Sequence, residues 1–283
     1  MHATIAASIT HLRNINPAYV PHASDGDHWQ RALTLFQNEL TSPSSRDARA
    51  MDLMISTSML LTVYSFTVYD DEPEDSWLFS SDYKNSNWFV VNGGVEAIVE
   101  VYGGDRTKTI WYPIMKDGDD FGNKFSHSSP ATWGIPAAFV GLCELDEEST
   151  AENNPYHAPL AGLSALLGLE ASQAMFTKLV SFIGHIKGEY RELVKAKDHR
   201  ALLILSYWLA QMGRLDIWWM QKRMQFECRA ICSYLERQAD PRILELLEFP
   251  ALASGYRDAS GAVVNRPLVE FDVETSPELS RGS

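Results

Sequence analysis

Cysteine is nearly absent: Cys143, Cys228 and Cys232 are the only three. So sparse and odd a count excludes a disulfide-stapled scaffold and suits a reducing compartment. Cys228 and Cys232 stand one helical turn apart, but with no histidine pair nearby they read as two buried thiols rather than half of a zinc site. Basic residues are also in deficit, 24 Lys and Arg against 37 Asp and Glu, for a formal charge of −13. A phosphate backbone is repelled by that balance, so no direct contact with nucleic acid is expected. No apolar stretch approaches the ~20 residues that a bilayer span needs. The first 17 residues lack the charged opening and small-residue end of a secretory leader. The expected location is therefore the cytoplasm or the nucleus.

Several catalytic signatures are missing as well. The eight histidines are scattered, with no His-Glu-x-x-His or similar metal spacing. There is no phosphate-cradling loop of the P-loop or Rossmann kind, and Gly162-Leu163-Ser164 lacks the last glycine of a nucleophile elbow. No internal repeat and little strand signal are found.

What the chain does have is apolar and aromatic bulk: 45% hydrophobic residues, with 8 Trp, 11 Tyr and 12 Phe. That is enough for a large core and the lining of a cavity. Residues 3–14 read as a helix stopping before Pro17, and in residues 28–40 Trp29, Leu33, Phe36 and Leu40 fall on one helical face. Ser45 or Asp47 is positioned to cap a helix over residues 47–69 that is apolar almost all round (Met51, Leu53, Met54, Ile55, Met59, Leu60, Leu61, Val63, Tyr64, Phe66), as a core-central helix would be. Residues 88–102 carry a further stripe of Val95, Ile98, Val99 and Tyr102, entered through Gly93-Gly94. Residues 103–159, with Pro113, Pro130, Pro136, Pro155 and Pro159, read as irregular or as hiding short helices. Three strong helices follow. One carries Met175, Leu179, Phe182, Ile186, Tyr190 and Leu193; one runs from Arg200 through Trp208 to Trp219; one carries Met224, Cys228, Ile231 and Leu235. Asp240-Pro241 opens a short fourth that halts at Pro250. The expected fold class is all-α: a helical bundle around a central apolar pocket, with one ligand-binding domain over residues 1–251. Residues 252–283 are expected to form a polar, poorly ordered tail, in which Val269, Phe271 and Val273 could make one short strand.

The acidic run Asp70-Asp71-Glu72-Pro73-Glu74-Asp75 closes the most apolar helix. In helical geometry Asp70 and Asp71 share a face with Glu74. Carboxylates at a helix C-terminus oppose the dipole and favour a cation to offset them. An Asp-Asp-x-x-Asp/Glu group at that place resembles the magnesium-binding motif of class I terpene synthases, which implies Asp70, Asp71 and Glu74 as candidate metal ligands and magnesium as the candidate ion. Pro73, which biases Glu72 away from helix, argues for a solvated acidic turn instead. Lys222-Arg223 follows Trp218-Trp219 at a helix junction and is the candidate binder of a diphosphate. Arg223 also stands at i,i+4 from Glu227, the spacing of a structural salt bridge, which leaves Lys222 the freer cation. Asp117-Gly118-Asp119-Asp120-Phe121-Gly122 opens like a calcium loop but has Phe121 at position five and Ser128 at position twelve, so it reads as a turn, with a second magnesium carboxylate as the lesser alternative. The candidate pocket residues are Trp29, Phe36, Met59, Tyr64, Phe66, Trp208, Trp218 and Trp219. Aromatic faces of this kind suit a carbocation or a flat apolar ligand equally.

The order of segments resembles the C-terminal ligand-binding domain of fungal binuclear zinc-cluster regulators of the sterol uptake control type. The resemblance is carried by Ala6-Ala7-Ser8 with His11-Leu12, residues 28–40, Ser76-Trp77-Leu78-Phe79 with Trp88 and Gly93-Gly94, then Trp218-Trp219 through Arg223, Glu227, Ala230-Ile231 and Leu235, and finally Leu246-Leu247-Glu248-Phe249-Pro250. It implies a helical bundle with a hydrophobic sterol pocket, and a nuclear location if the regulator's role is kept. The six clustered cysteines of the family's DNA-binding module are absent, and the chain is expected to begin inside the first helices of the domain. The acidic run and Lys222 also resemble parts of the atypical fungal humulene-type sesquiterpene cyclases, which implies a magnesium-dependent cyclase of a prenyl diphosphate such as farnesyl diphosphate. The cyclase is the first expectation and a sterol- or lipid-sensing domain without its DNA-binding module the alternative; a plain interaction domain is the third. The expected partner is an apolar small molecule, prenyl diphosphate or sterol, with a homodimer left open.

Overall fold

A computed structural model describes residues 1–16, 18–20, 22, 25–67, 76–80, 94–103, 105–126, 134–170, 172–238 and 240–264. Among these residues the fold is all-α. Three long helices open it: α1 (His2–Ile15), α2 (Asp25–Thr41) and α3 (Ala48–Phe66), followed by α4 (Gly94–Val101), α5 (Tyr112–Ser126) and α6 (Ala137–Leu142). The second half holds α7 (His157–Leu167), α8 (Phe176–Ser181), α9 (Gly188–Lys195), α10 (His199–Gly213), α11 (Gln221–Gln238), α12 (Pro241–Leu246) and α13 (Glu248–Ala253).

Helix starts follow their capping residues. The Asp47 carboxylate accepts the Ala50 amide at 2.8 Å, Asp198 that of Ala201 at 2.9 Å and Asp240 that of Arg242 at 2.9 Å, each satisfying a donor that the first turn leaves open. Pro241 sits in the first turn of α12, where its missing N–H costs nothing.

Helix α10 is the axis of the main core. Every residue from Ala201 to Gly213 is buried, and the helix packs against α11, α13, α7, α8, α9 and α12. A helix wrapped on all sides can be apolar all round, which explains its near-continuous hydrophobic run. Helices α1, α2 and α3 pack on one another, and α3 also on α4, around two smaller apolar clusters centred on Ala3, Ala32 and Leu61 and on Met51, Met54, Ile55, Ile98 and Tyr102.

Four local expectations need correction. The Asp117–Gly122 segment is not a turn but lies inside α5: Pro113 occupies that helix's first turn, and Trp111 and Met115 pack on the Met51 cluster, so burial of one face carries the polar residues into a helix. The stretch from Met175 to Leu193 is not one helix. It is cut into α8, 3₁₀ turns over 173–175 and 182–185, and α9, with Gly188 at φ +53° where a right-handed helix cannot continue. The helix expected to reach Trp219 stops at Gly213. Pro250 does not halt the last helix; it sits in the first turn of α13.

Packing also continues past residue 251. Tyr256 is buried, its hydroxyl donates to Glu236 at 2.6 Å, Arg257 pairs with Glu236 at 2.6 Å, and Arg257 and Val263 form an antiparallel bridge. Val269, Phe271 and Val273 lie outside the described residues. No helix among the described residues is long and apolar enough to cross a membrane.

Candidate functional site

The candidate metal ligands Asp70, Asp71 and Glu74 lie outside the described residues; the residues on either side of them do not. On one side Phe66, the last residue of α3, is buried and meets the Trp219 ring edge-on, with ring centres 5.4 Å apart. On the other, Ser76 is fully buried and its hydroxyl donates to Glu227 Oε2 at 2.6 Å. The two contacts fall on either side of Lys222 and Arg223, Trp219 just before α11 and Glu227 in its second turn.

Glu227 is the centre of this arrangement. It is wholly buried, pairs with Arg223 at 3.2 Å one turn earlier on α11, and accepts from Ser76 and from the Trp77 backbone N–H. The Ser76 hydroxyl in turn accepts the Leu78 amide at 3.2 Å, and Phe79 and Ser80 bond back to the Ser76 carbonyl. Residues 76–80 thus form a tight turn whose Leu78 is sunk in the main core. Burial, which disfavours the charged form, pushes the Glu227 carboxyl up to about 7; Arg223, Ser76 and Trp77 pull the other way and only partly offset it. A buried ion pair is held at such a cost only where further hydrogen bonds satisfy the carboxylate, as Ser76 and Trp77 do.

The sequence placed Arg223 opposite Glu227 by their i,i+4 spacing, and the structure shows that pair. It gave no sign of Ser76, 151 residues earlier in the chain. A serine opening an aromatic tetrapeptide has no local pattern that names a partner on a distant helix. Lys222 and Arg223 diverge: Lys222 is exposed, Arg223 buried.

The eight candidate pocket residues are divided. Trp29 stacks on Tyr64 at 5.0 Å, and Trp29, Phe36 and Met59 pack on the smaller clusters of α1 to α4. Phe66, Trp208 and Trp219 belong to the main core, where Trp208 stacks on Phe182 and its indole N–H donates to the Leu179 carbonyl at 2.8 Å. Trp219 also meets Phe176 edge-on at 6.3 Å. Trp218 is exposed and lies against His11 of α1, ring centres 4.8 Å apart. Phe66, Phe176 and Trp219 therefore form an edge-on aromatic cluster at the α3 flank of the acidic run.

A separate concavity of about 310 Å³ opens on the surface between Leu142, Glu144, the 197–200 turn, Asp240, Arg242 and Ile243. It holds none of the expected site residues. Among the described residues no group of three His, Cys, Asp or Glu side chains is arranged to hold a metal ion. The three cysteines are free and buried. No family model matches the chain, and neither a curated protein nor a solved structure matches it.

Proposed function

We propose that the chain is a magnesium-dependent cyclase acting on a prenyl diphosphate such as farnesyl diphosphate. One observation carries the reading: the described flanks of the acidic run meet the chain on either side of the two candidate cations, Phe66 on Trp219 just before α11 and Ser76 on Glu227 in its second turn. An acidic group and a cationic group served by one structural anchor are what a diphosphate site requires. Asp70, Asp71 and Glu74 would hold magnesium, whose preference for hard carboxylate oxygens fits that donor set. Bound there, the ion would act as a Lewis acid toward the departing diphosphate. Lys222, exposed at the first turn of α11, would hold the diphosphate as a point charge, with Arg223 behind it. The rings of Phe66, Phe176 and Trp219 would face the hydrocarbon part and its cation, and the apolar pocket expected from the sequence would open on that side.

The test is incubation of the purified chain with farnesyl diphosphate and magnesium, extraction, and gas chromatography with mass spectrometry, beside an Asp71→Asn variant. A cyclic hydrocarbon that vanishes in the variant is expected. No product from farnesyl or longer diphosphates overturns the reading.

A second reading has one observation in its favour: Arg223 is already neutralised by Glu227 inside the core, as in a purely structural ion pair. On that reading the chain is a sterol- or lipid-binding domain of the regulator type, and a sterol retained in native mass spectra of an inactive protein is its mark.

A further inference from the structure

We propose that Glu227 is a positioning residue: a single buried carboxylate that latches the 76–80 turn to α11 and, through the same two oxygens, fixes the Arg223 guanidinium. The proposal deepens the cyclase reading, because the two things Glu227 fixes are the described flank that follows the acidic run and one of the two candidate cations. Its geometry stands without that reading. Oε2 takes the Ser76 hydroxyl at 2.6 Å and Oε1 takes Arg223 at 3.2 Å, and Glu227 and Ser76 are both shut off from solvent. The Trp77 amide adds a third donor. Loss of the carboxylate removes three bonds from two different elements at once, where loss of any one donor removes only its own.

The latch is linked to proton binding. The groups that act on Glu227 are Arg223 from its own helix and Ser76 and Trp77 from the turn packed against it; burial outweighs them and holds the carboxyl near 7. Lifting the turn lets water reach the group and returns it toward an ordinary carboxyl, so the closed form binds the proton more tightly than the open one. Acid therefore favours the closed latch and alkali its opening. Between pH 8 and pH 6 the closing equilibrium shifts by roughly tenfold.

Amide hydrogen exchange of the full chain, followed by mass spectrometry and corrected for intrinsic rates, reads the latch directly in the peptide covering residues 76–80. In the wild type, protection there rises by roughly tenfold from pH 8 to pH 6. Glu227→Gln keeps the volume and one acceptor oxygen but cannot titrate, so it abolishes the pH slope. Ser76→Ala removes the bond to Glu227 and the one accepted from the Leu78 amide but leaves Glu227 titrating, so it lowers protection while retaining the slope, and it serves if Glu227→Gln does not fold. Exchange at 76–80 unchanged in both variants, or the wild-type slope persisting in Glu227→Gln, overturns the proposal. Turnover separates it from the cyclase reading: with farnesyl diphosphate and magnesium, Glu227→Gln raises KM at least severalfold. A wild type that turns over no prenyl diphosphate sinks the cyclase alone, and the exchange data still decide the latch.

Discussion

The carboxylate of Asp198 holds Tyr156 and the start of α10 together: one oxygen accepts the Tyr156 hydroxyl at 2.9 Å and the Ala201 amide at 2.9 Å. Tyr156 lies at the entrance to α7, 42 residues away, so a helix cap doubles as a tie between two layers. The arrangement also shows in the tyrosine, whose hydroxyl is pushed out of its ordinary range chiefly by burial and then by the bond to Asp198. Asp198→Ala loses both bonds and should cost about 2 kcal/mol, the upper end for an N-cap. Tyr156→Phe should cost about 1 kcal/mol. In urea unfolding the double variant should lose less than the sum of the two, because both delete the same bond; full additivity would mean that the bond contributes nothing.

One residue earlier, Lys197 has φ +59°, in the left-handed region where a side chain is strained. It closes α9 in a Schellman turn: its amide bonds to the Val194 carbonyl at 3.0 Å and the Asp198 amide to the Leu193 carbonyl at 2.9 Å. Glycine is the residue this position favours. Lys197→Gly should stabilise the protein by up to about 1 kcal/mol, relief of strain outweighing the added freedom of the unfolded chain. A rise in the thermal midpoint with unchanged circular dichroism is the expected result; a fall would show that the lysine stem contributes more by packing along the 197–200 turn.

The helices legible from sequence are those whose apolar period matches their surroundings in space. Trp29, Leu33 and Phe36 repeat at helical spacing because α2 has one buried side, and Asp47, Asp198 and Asp240 mark starts because capping is local chemistry. Breaks were harder to see. The period from Met175 to Tyr190 runs on across 3₁₀ turns, since those turns present the same residues to the core that a helix would, and only Gly184 and Gly188 hint at the cut. Helix α5 was hidden for the opposite reason: its acids and glycines look like a loop, and its packing on α8 and α7, with Phe121 on the main core and Met115 on the Met51 cluster, decides the matter. In the candidate site the Arg223–Glu227 pair was readable because both residues lie on one helix. Ser76 was not, because its partner is set by how the chain returns, and no local spacing records that.

The three thiols should be chemically silent in the native protein. Each is buried, and burial pushes Cys143 up to about 12 and Cys232 well above its ordinary value. The Cys228 thiol donates to the carbonyls of Ser206 and Pro250 at 3.4 and 3.5 Å, deep between α10, α11 and α13. Reactivity follows the exposed thiolate, and none is on offer. Ellman's reagent at pH 8 should label no cysteine within minutes in buffer and all three in concentrated urea. Rapid labelling of even one in buffer would mean that its helix opens on that timescale.

Glu227 should also leave its mark on global stability, with a sign opposite to that of most carboxylates. Its folded value of about 7 lies above the 4.5 of an unperturbed glutamate, chiefly through burial. Below pH ~4.5 both states hold the proton, and its contribution is fully present. Between about 4.5 and 7 the unfolded chain has shed a proton that the folded chain keeps, so stability falls as pH rises through that window, and above it both states are ionised. A shift of this size corresponds to at most roughly 3 kcal/mol. Other carboxylates move too: Asp47 and Asp240 are lowered, chiefly by their cap and side-chain hydrogen bonds respectively, and lose stability only in acid. The informative quantity is therefore the difference between the wild type and Glu227→Gln in urea unfolding at pH 5, 6, 7 and 8. The wild type should lose ground to the variant steadily from pH 5 to 7 and then level off. A difference that stays flat across the series would place the carboxyl at an ordinary value, and with it would go the idea that desolvation outweighs Arg223, Ser76 and Trp77.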